Sequence, residues 1–290
     1  MAVTTDIKDF VNRGLRVVGL ELTTTRCDRI ETVRLRALSA RGHWLGPRFA
    51  EGLRLEAEKA LNLLRKVCLP FRDQYTRWPR EGQNGDKNFF VRNGWFQAVD
   101  SEMLYCLIRY HKPARIVEVG SGFSTRVMRL AIADGGLGTR LMSVDPSPRA
   151  EILEASDQHL ARPVEELDAT ELADGLSAGD ILFIDSSHTI ASGSDVSFLF
   201  LEVIPRLRPG VLIHVHDIFL PFEYPMEWVI DYRWGWNEQY LVHALLCDNT
   251  RLEILWPAYY MWTVYGDKVR AVVPSQPGDV APTSLWILKC

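Results

Sequence analysis

The sequence predicts an α/β fold whose largely parallel sheet is covered by helices on both faces. Three observations predict it. From about residue 95 onward, short β-branched runs alternate with helical segments. The runs end on a glycine, an acid or a histidine–acid pair. Two further strand-like runs lie near the C-terminus.

The elements follow in order. Residues 1–88 read as a helical N-terminal extension. Ile7, Phe10, Val11, Leu15 and Val18 recur at three- and four-residue spacing, as do Leu53, Ala57, Leu61, Leu64 and Cys68. Each set lays one apolar stripe along a helix, and Pro70 stops the second. The polar stretch 81–88, with two glycines, reads as a linker. Asp100–His111 is predicted helical, with Met103, Leu104 and Leu107 on one face. Arg115–Val119, Arg140–Val144, Asp180–Ile184 and Val211–Val215 are predicted strands, with helices around 126–132 and 198–204 between them. Asn237–Leu246 reads as a helix, and Arg251–Trp256 and Ser284–Lys289 as strands of a closing hairpin. The count suits seven strands.

Composition narrows the function classes. The 290 residues carry a net charge of −4 and no basic stripe, so neither nucleic acid nor an anionic membrane surface is an expected partner. Five cysteines, an odd number without a CxxC pair, argue for reduced thiols rather than a disulfide framework or a zinc knuckle. The N-terminus lacks the basic flank and apolar run of a signal peptide, and no segment nears the roughly 18 apolar residues of a membrane span. A soluble cytoplasmic protein is expected.

The chemistry begins at Gly120-Ser121-Gly122, between a strand and a helix. Glycine permits a tight turn and close approach of a ligand to the backbone. Such a loop alone serves several nucleotide-like cofactors, or none. Two details favour a cationic sulfonium ligand over a dinucleotide, and a third is compatible with it. Thr125 stands where the dinucleotide fingerprint wants a third glycine, or alanine, for close helix packing. Glu118, at the strand end, would repel a pyrophosphate. Asp145, ending the next strand before Pro146, is placed to accept ribose hydroxyls, a feature that fits both ligands.

These residues carry a resemblance. Val117–Thr125, Phe183–His188, His214–Pro225 and Trp236–Tyr240 together resemble class I S-adenosylmethionine-dependent methyltransferases. More narrowly, they resemble the methyltransferase family 24 type, related to macrocin-type sugar O-methyltransferases. The resemblance implies a Rossmann-like seven-stranded sheet over 89–290 and S-adenosylmethionine as cofactor. It points to Glu118, Gly120, Ser121, Gly122, Ser124, Thr125, Asp145, Pro146 and Asp185 as cofactor-binding residues.

A second constellation lies at the tips of two later strands: Asp185 with His188, and His216 with Asp217. About thirty residues separate the two groups, the length of one crossover through a helix. Neighbouring strands would bring all four beside the transferable methyl. In one reading His188 is the general base that takes the acceptor's proton, helped by Asp185. The resemblance supports that role, because macrocin-type enzymes place a histidine three residues after a metal-binding aspartate. In the other, Asp185, His216 and Asp217 hold a divalent metal. His216 stands where related enzymes carry an acid, which favours manganese or iron over magnesium. His214 reads as a buried structural histidine.

The aromatic segment from Phe219 to Tyr240 is either an acceptor wall or core packing. Tyr224, Arg233, Trp236, Asn237 and Glu238 are its candidates for recognising a small-molecule acceptor. The expected reaction is methyl transfer to a hydroxyl of a sugar or small natural product. Its rivals are a carboxylate acceptor, an NAD-linked oxidoreductase and a non-catalytic cofactor-binding module. The apolar N-terminal stripes leave a homo-oligomeric contact open.

Overall fold

The computed structural model describes residues 11, 14–15, 17, 25–83, 88–148, 154–276 and 278–290. The first apolar stripe, apart from Val11 and Leu15, lies outside the described residues, as does half of the expected linker, 84–87.

Seven strands form one sheet: β1 (Arg115–Val119), β2 (Arg140–Val144), β3 (Gln158–Leu160), β4 (Ile181–Ile184), β5 (Leu212–Val215), β6 (Leu252–Pro257) and β7 (Leu285–Lys289). Their order is β3-β2-β1-β4-β5-β7-β6. The first five are parallel, and β7 runs antiparallel to both β5 and β6. The order reverses beside β1, where open α/β sheets bind ligands outside their carboxyl ends.

The helices include α1 (Thr25–Ala40), α2 (Ala57–Cys68), α3 (Asp100–His111), α4 (Phe123–Gly135), α5 (Ala169–Asp174), α6 (Asp195–Phe198), α7 (Ile204–Arg206), α8 (Met226–Ile230), α9 (Glu238–Leu246) and α10 (Ala258–Val272), with one short turn of helix, Arg72–Tyr75, after α2. A π turn, Leu199–Val203, joins α6 to α7.

Strand alternation divides the core into two layers. Ile116, Ile181, Phe183 and Leu212 face one side with Leu61, Leu64, Met103 and Trp286. Val117, Val119, Leu182, Ile184 and Ile213 face the other with Val196, Leu199 and Val203. Side chains of period two serve both faces at once, which is why these strands read as continuous apolar runs.

The chain divides into two compact units, Met1–Gly46 with Pro225–Arg233, and Pro47–Tyr224 with Trp234–Cys290. In the smaller unit α1 packs against α8, and Ser39 Oγ donates to Met226 Sδ at 3.2 Å. The unit holding the sheet begins at Pro47, not at the expected boundary of residue 89. The reason is α2, whose stripe of Ala60, Leu61, Leu64, Val67 and Cys68 is buried in the sheet's own core. Two further differences concern the C-terminal third and the middle. The expected hairpin is a pair of antiparallel strands joined through α10, kinked at Tyr265. The three-residue β3 was too short to show an alternation.

Among the described residues, no helix is long and apolar enough to cross a membrane.

Candidate functional site

Register builds the site. Val119 pairs with Val144 and Ile184, and Ile184 pairs with Val215. The residues that follow, Gly120, Asp145, Asp185 and His216, therefore emerge side by side at one sheet edge, with strands about 4.8 Å apart.

Gly120 is required by geometry. Its φ is +77°, and a Cβ there would lie 1.8 Å from the Asp185 carbonyl oxygen. Gly122 differs, because a Cβ there would meet no protein atom within 4 Å. Gly122 lines a cavity of about 410 Å³ at the carboxyl edge, within the roughly 300–1,000 Å³ of small-ligand sites.

The carboxylate of Asp145 organises the loop above this cavity. It accepts from the Ser121 amide (2.8 Å) and hydroxyl (3.2 Å), and from the Ser147 amide (2.7 Å). Ser121, Gly122, Ser124, Asp145, Pro146 and Asp185 all line the cavity.

Glu118 and Thr125 lie elsewhere than the sequence reading expected. Glu118 is fully buried and accepts from the hydroxyls of Ser124 (2.7 Å), Thr125 (2.7 Å) and Ser143 (2.8 Å). The Thr125 hydroxyl in turn accepts from the Gly122 amide at 3.0 Å. These two residues brace the loop from beneath rather than line the cavity. Burial pushes Glu118 up to about 7 despite its hydroxyl donors.

The acidity assigned to Glu118 comes instead from four carboxylates on the wall: Asp145, Glu165, Asp185 and Asp195. Among the described residues no lysine, arginine or histidine lines it. Glu165 and Asp195 escaped the sequence reading, as did the aromatic wall of Trp95 and Phe96. Asp195 accepts from the Ser187 amide (2.8 Å) and hydroxyl (2.6 Å). Asn93 accepts from the amides of Trp95 (2.9 Å) and Phe96 (2.8 Å). The turn dipeptide Asn93-Gly94 was the available signal for that loop.

Beside Asp185 lies the second cluster. His188 Nε2 is 3.4 Å from Asp185 Oδ1 and 3.6 Å from Asp217 Oδ2, and its Nδ1 is 2.9 Å from Glu238 Oε2. The ring packs on Trp236 at 4.2 Å. His188 (φ +58°) and Asp217 (φ +55°) both adopt left-handed backbone, which costs on the order of 1–3 kcal/mol and is concentrated at functional sites. Burial disfavours a charged His188, but hydrogen bonds to Asp185 and Glu238 outweigh it and hold the imidazole well above its ordinary range. Burial likewise opposes ionisation of Asp185. The nearby imidazoles of His216 and His188 reverse that and hold its carboxyl well below the usual range.

Asp185, His188 and Asp217 each offer a donor atom, all within 4.8 Å of one another. His188 thus stands in the converging set where the sequence reading placed His216. His216 Nε2 approaches Asp217 Oδ1 only to 3.8 Å, and its ring packs against Phe96 at 5.2 Å. One imidazole and two carboxylates suit a divalent ion of the manganese or iron kind better than magnesium. His214 is structural: fully buried, stacked on Phe183 at 3.8 Å, with Nε2 2.8 Å from Ser284 Oγ.

The acceptor candidates separate. Trp236 and Glu238 touch His188, as above. Tyr224 is buried, and its hydroxyl accepts from the Gln239 amide at 3.0 Å. Asn237 Oδ1 accepts from the Ile190 amide at 2.6 Å, so it does not cap its own helix. Arg233 belongs to the smaller unit, where its Nη2 donates to Thr32 Oγ1 at 3.4 Å.

The strand order, with its antiparallel β7, and the acidic cavity beside β1 define a Rossmann-like methyltransferase fold. Residues 117–218 match the family Methyltransf_24, described as a methyltransferase domain. The segment from β1 to the end of β5 thus matches a methyltransferase domain of that family. Among solved structures it is similar to the SAH-bound methyltransferase PaMTH1 of Podospora anserina, at 14% identity over 94% of this chain and 99% of that one, with a TM-score of 0.39. It is similar also to an O-methyltransferase from Bacillus cereus in complex with SAH, at 14% identity over 79% and 91%, with a TM-score of 0.40. A third is cmcI with Mg and SAM, at 16% identity over 63% and 75%, with a TM-score of 0.37. No curated protein sequence matches the chain.

Proposed function

We propose that this protein transfers the methyl group of S-adenosylmethionine to a hydroxyl oxygen of a sugar or other small natural product. One observation carries the cofactor half: a cavity at the switch point of the sheet, walled by four carboxylates and by no basic side chain among the described residues. Such a wall favours a sulfonium and an ammonium and repels the pyrophosphate of a dinucleotide. The open space above Gly122 admits a ligand against the backbone.

The acceptor half rests on the cluster adjoining Asp185. Methyl transfer to a hydroxyl leaves a proton to be taken up. His188 Nε2, between Asp185 and Asp217, is the nitrogen we assign to that proton. The surrounding carboxylates raise its affinity for a proton, so it acts as a base only in the fraction of molecules whose imidazole is neutral. A carboxylate acceptor, already ionised, would need no such group.

The convergence of Asp185, His188 and Asp217 favours a second reading, in which these residues hold a divalent cation. A cation bound there supplies charge that offsets the carboxylates and acidifies an acceptor hydroxyl. We place the reaction in the cytoplasm, on small molecules rather than nucleic acid or membrane, in keeping with the net charge of −4.

The test incubates the protein with labelled methyl donor and a panel of hydroxyl and carboxyl acceptors, with products read by mass spectrometry. Label on a hydroxyl oxygen is the expected result; label on a carboxylate alone overturns the acceptor assignment. Calorimetry should show binding of SAH and none of NAD. The opposite pattern ends the cofactor reading.

A further inference from the structure

Glu238 is an anomaly as a recognition residue. It opens α9, where an acid suits the helix dipole, but such acids normally stay in water. Here the side chain is fully buried. A buried carboxylate is retained only against a compensating partner. Its Oε2 meets His188 Nδ1 at 2.9 Å, while Oε1 has no hydrogen-bond partner.

The same turn of helix also grips the His188 backbone. The amides of Asn237 and Glu238 donate to the His188 carbonyl at 3.0 and 3.2 Å. Asn237 Oδ1 accepts from the Ile190 amide at 2.6 Å, on the far side of the histidine. Trp236 closes the face of the ring at 4.2 Å. The start of α9 thus fixes His188 by its carbonyl, its following loop, its ring face and its Nδ1.

We propose that Glu238 is the positioning residue of the proton-accepting centre: its carboxylate anchors His188 Nδ1 so that Nε2 faces Asp185 and Asp217. This rests on the assignment of His188 given above. Glu238 itself does not line the cavity. An imidazole held at one nitrogen by a carboxylate presents the other in a single orientation. Without the anchor, the ring could turn toward Asp185 and Asp217 in several ways, and productive proton transfer would become rare.

Three variants and three readouts test this. In E238A, kcat should fall about a hundredfold, the lower range for loss of general base function, while SAH affinity stays within about twofold of wild type. In E238Q, whose amide oxygen can still accept from Nδ1–H, much of the rate should return. Proton NMR of protein labelled with ¹⁵N-histidine should show a low-field Nδ1 proton that vanishes in both E238A and H188N. Near-normal kcat in E238A overturns the proposal. So does parallel loss of kcat and SAH binding without rescue by E238Q, which marks a structural role only. If E238A fails to fold, E238Q and the resonance decide. If the wild type methylates no acceptor, the proposed reaction fails on its own account. The low-field proton and its response to E238Q then still decide the anchor, and its absence refutes it.

Discussion

At the scale of single residues, the two glycines of the cofactor loop do different work, and substitution should separate them. Gly120→Ala drives a methyl group into the Asp185 carbonyl from a left-handed backbone. It should cost several kcal/mol, on the order of 3 or more, read as a lowered urea midpoint. Gly122→Ala meets no protein atom, so the midpoint should hold while SAH affinity drops about tenfold or more, as the methyl group occupies ligand space. Equal stability losses in the two variants would contradict this division. Glu118 makes a prediction about pH. Its carboxyl is pushed from the ordinary 4.5 up to about 7, so between those values the folded state binds more protons than the unfolded one. Stability should therefore decline as pH rises through that window, with Glu118 contributing on the order of 3 kcal/mol. Glu102, buried in the first turn of α3, is also pushed up to about 7 and adds to the slope. Thermal melts of E118Q between pH 4.5 and 8 should show a shallower fall than wild type. An unchanged slope would remove Glu118 from the account.

At the scale of elements, α2 shows how a helix outside the recognised motifs belongs to the sheet unit. Leu61 and Leu64 are completely buried in the layer that also holds Phe183 and Trp286. Leu61→Ala or Leu64→Ala should each destabilise by about 2–5 kcal/mol. A chain beginning at residue 89 would expose the part of that layer that α2 covers, and it should fail to give a cooperative thermal transition. A truncated chain that melts as sharply as the full protein would restore the boundary at 88. The start of α9 is the second instructive element. Its sequence, Trp236-Asn237-Glu238, reads as polar and aromatic acceptor contacts, yet in the fold it wraps the loop carrying His188.

For the whole molecule, the sheet's carboxyl edge joins two functions carried by segments far apart in the chain. β1, β2 and β4 bring the cavity together, while β4, β5 and α9 bring the histidine cluster to its margin at Asp185. Ligands that bind the folded state raise the melting temperature by mass action, about 2.7 kcal/mol of stability at a hundred times Kd. SAH should therefore raise Tm by several degrees where NAD does not. Manganese should do the same in the wild type and not in a D185N/D217N double variant. Equal manganese shifts in both proteins would exclude the Asp185–His188–Asp217 site.

Periodicity and punctuation were legible in the sequence because they are local. The strands β1, β2, β4 and β5 and the acids and glycines at their tips follow from apolar runs that stop where side chains must meet solvent or ligand. The pairing of Asp185 with His188, three residues apart on one loop, could be read the same way. What a side chain faces was not legible, because burial and hydrogen-bond partners are set by segments remote in sequence. Glu118 turned inward to hydroxyls on β2 and α4. Glu165 and Asp195 joined the cavity, and His188 displaced His216 from the converging donors. Glu238 crossed fifty positions of sequence to reach the histidine it holds. Chain order determined which chemistry could gather at the sheet edge; packing in three dimensions decided which groups meet there, since a carboxylate or imidazole takes its role from what surrounds it.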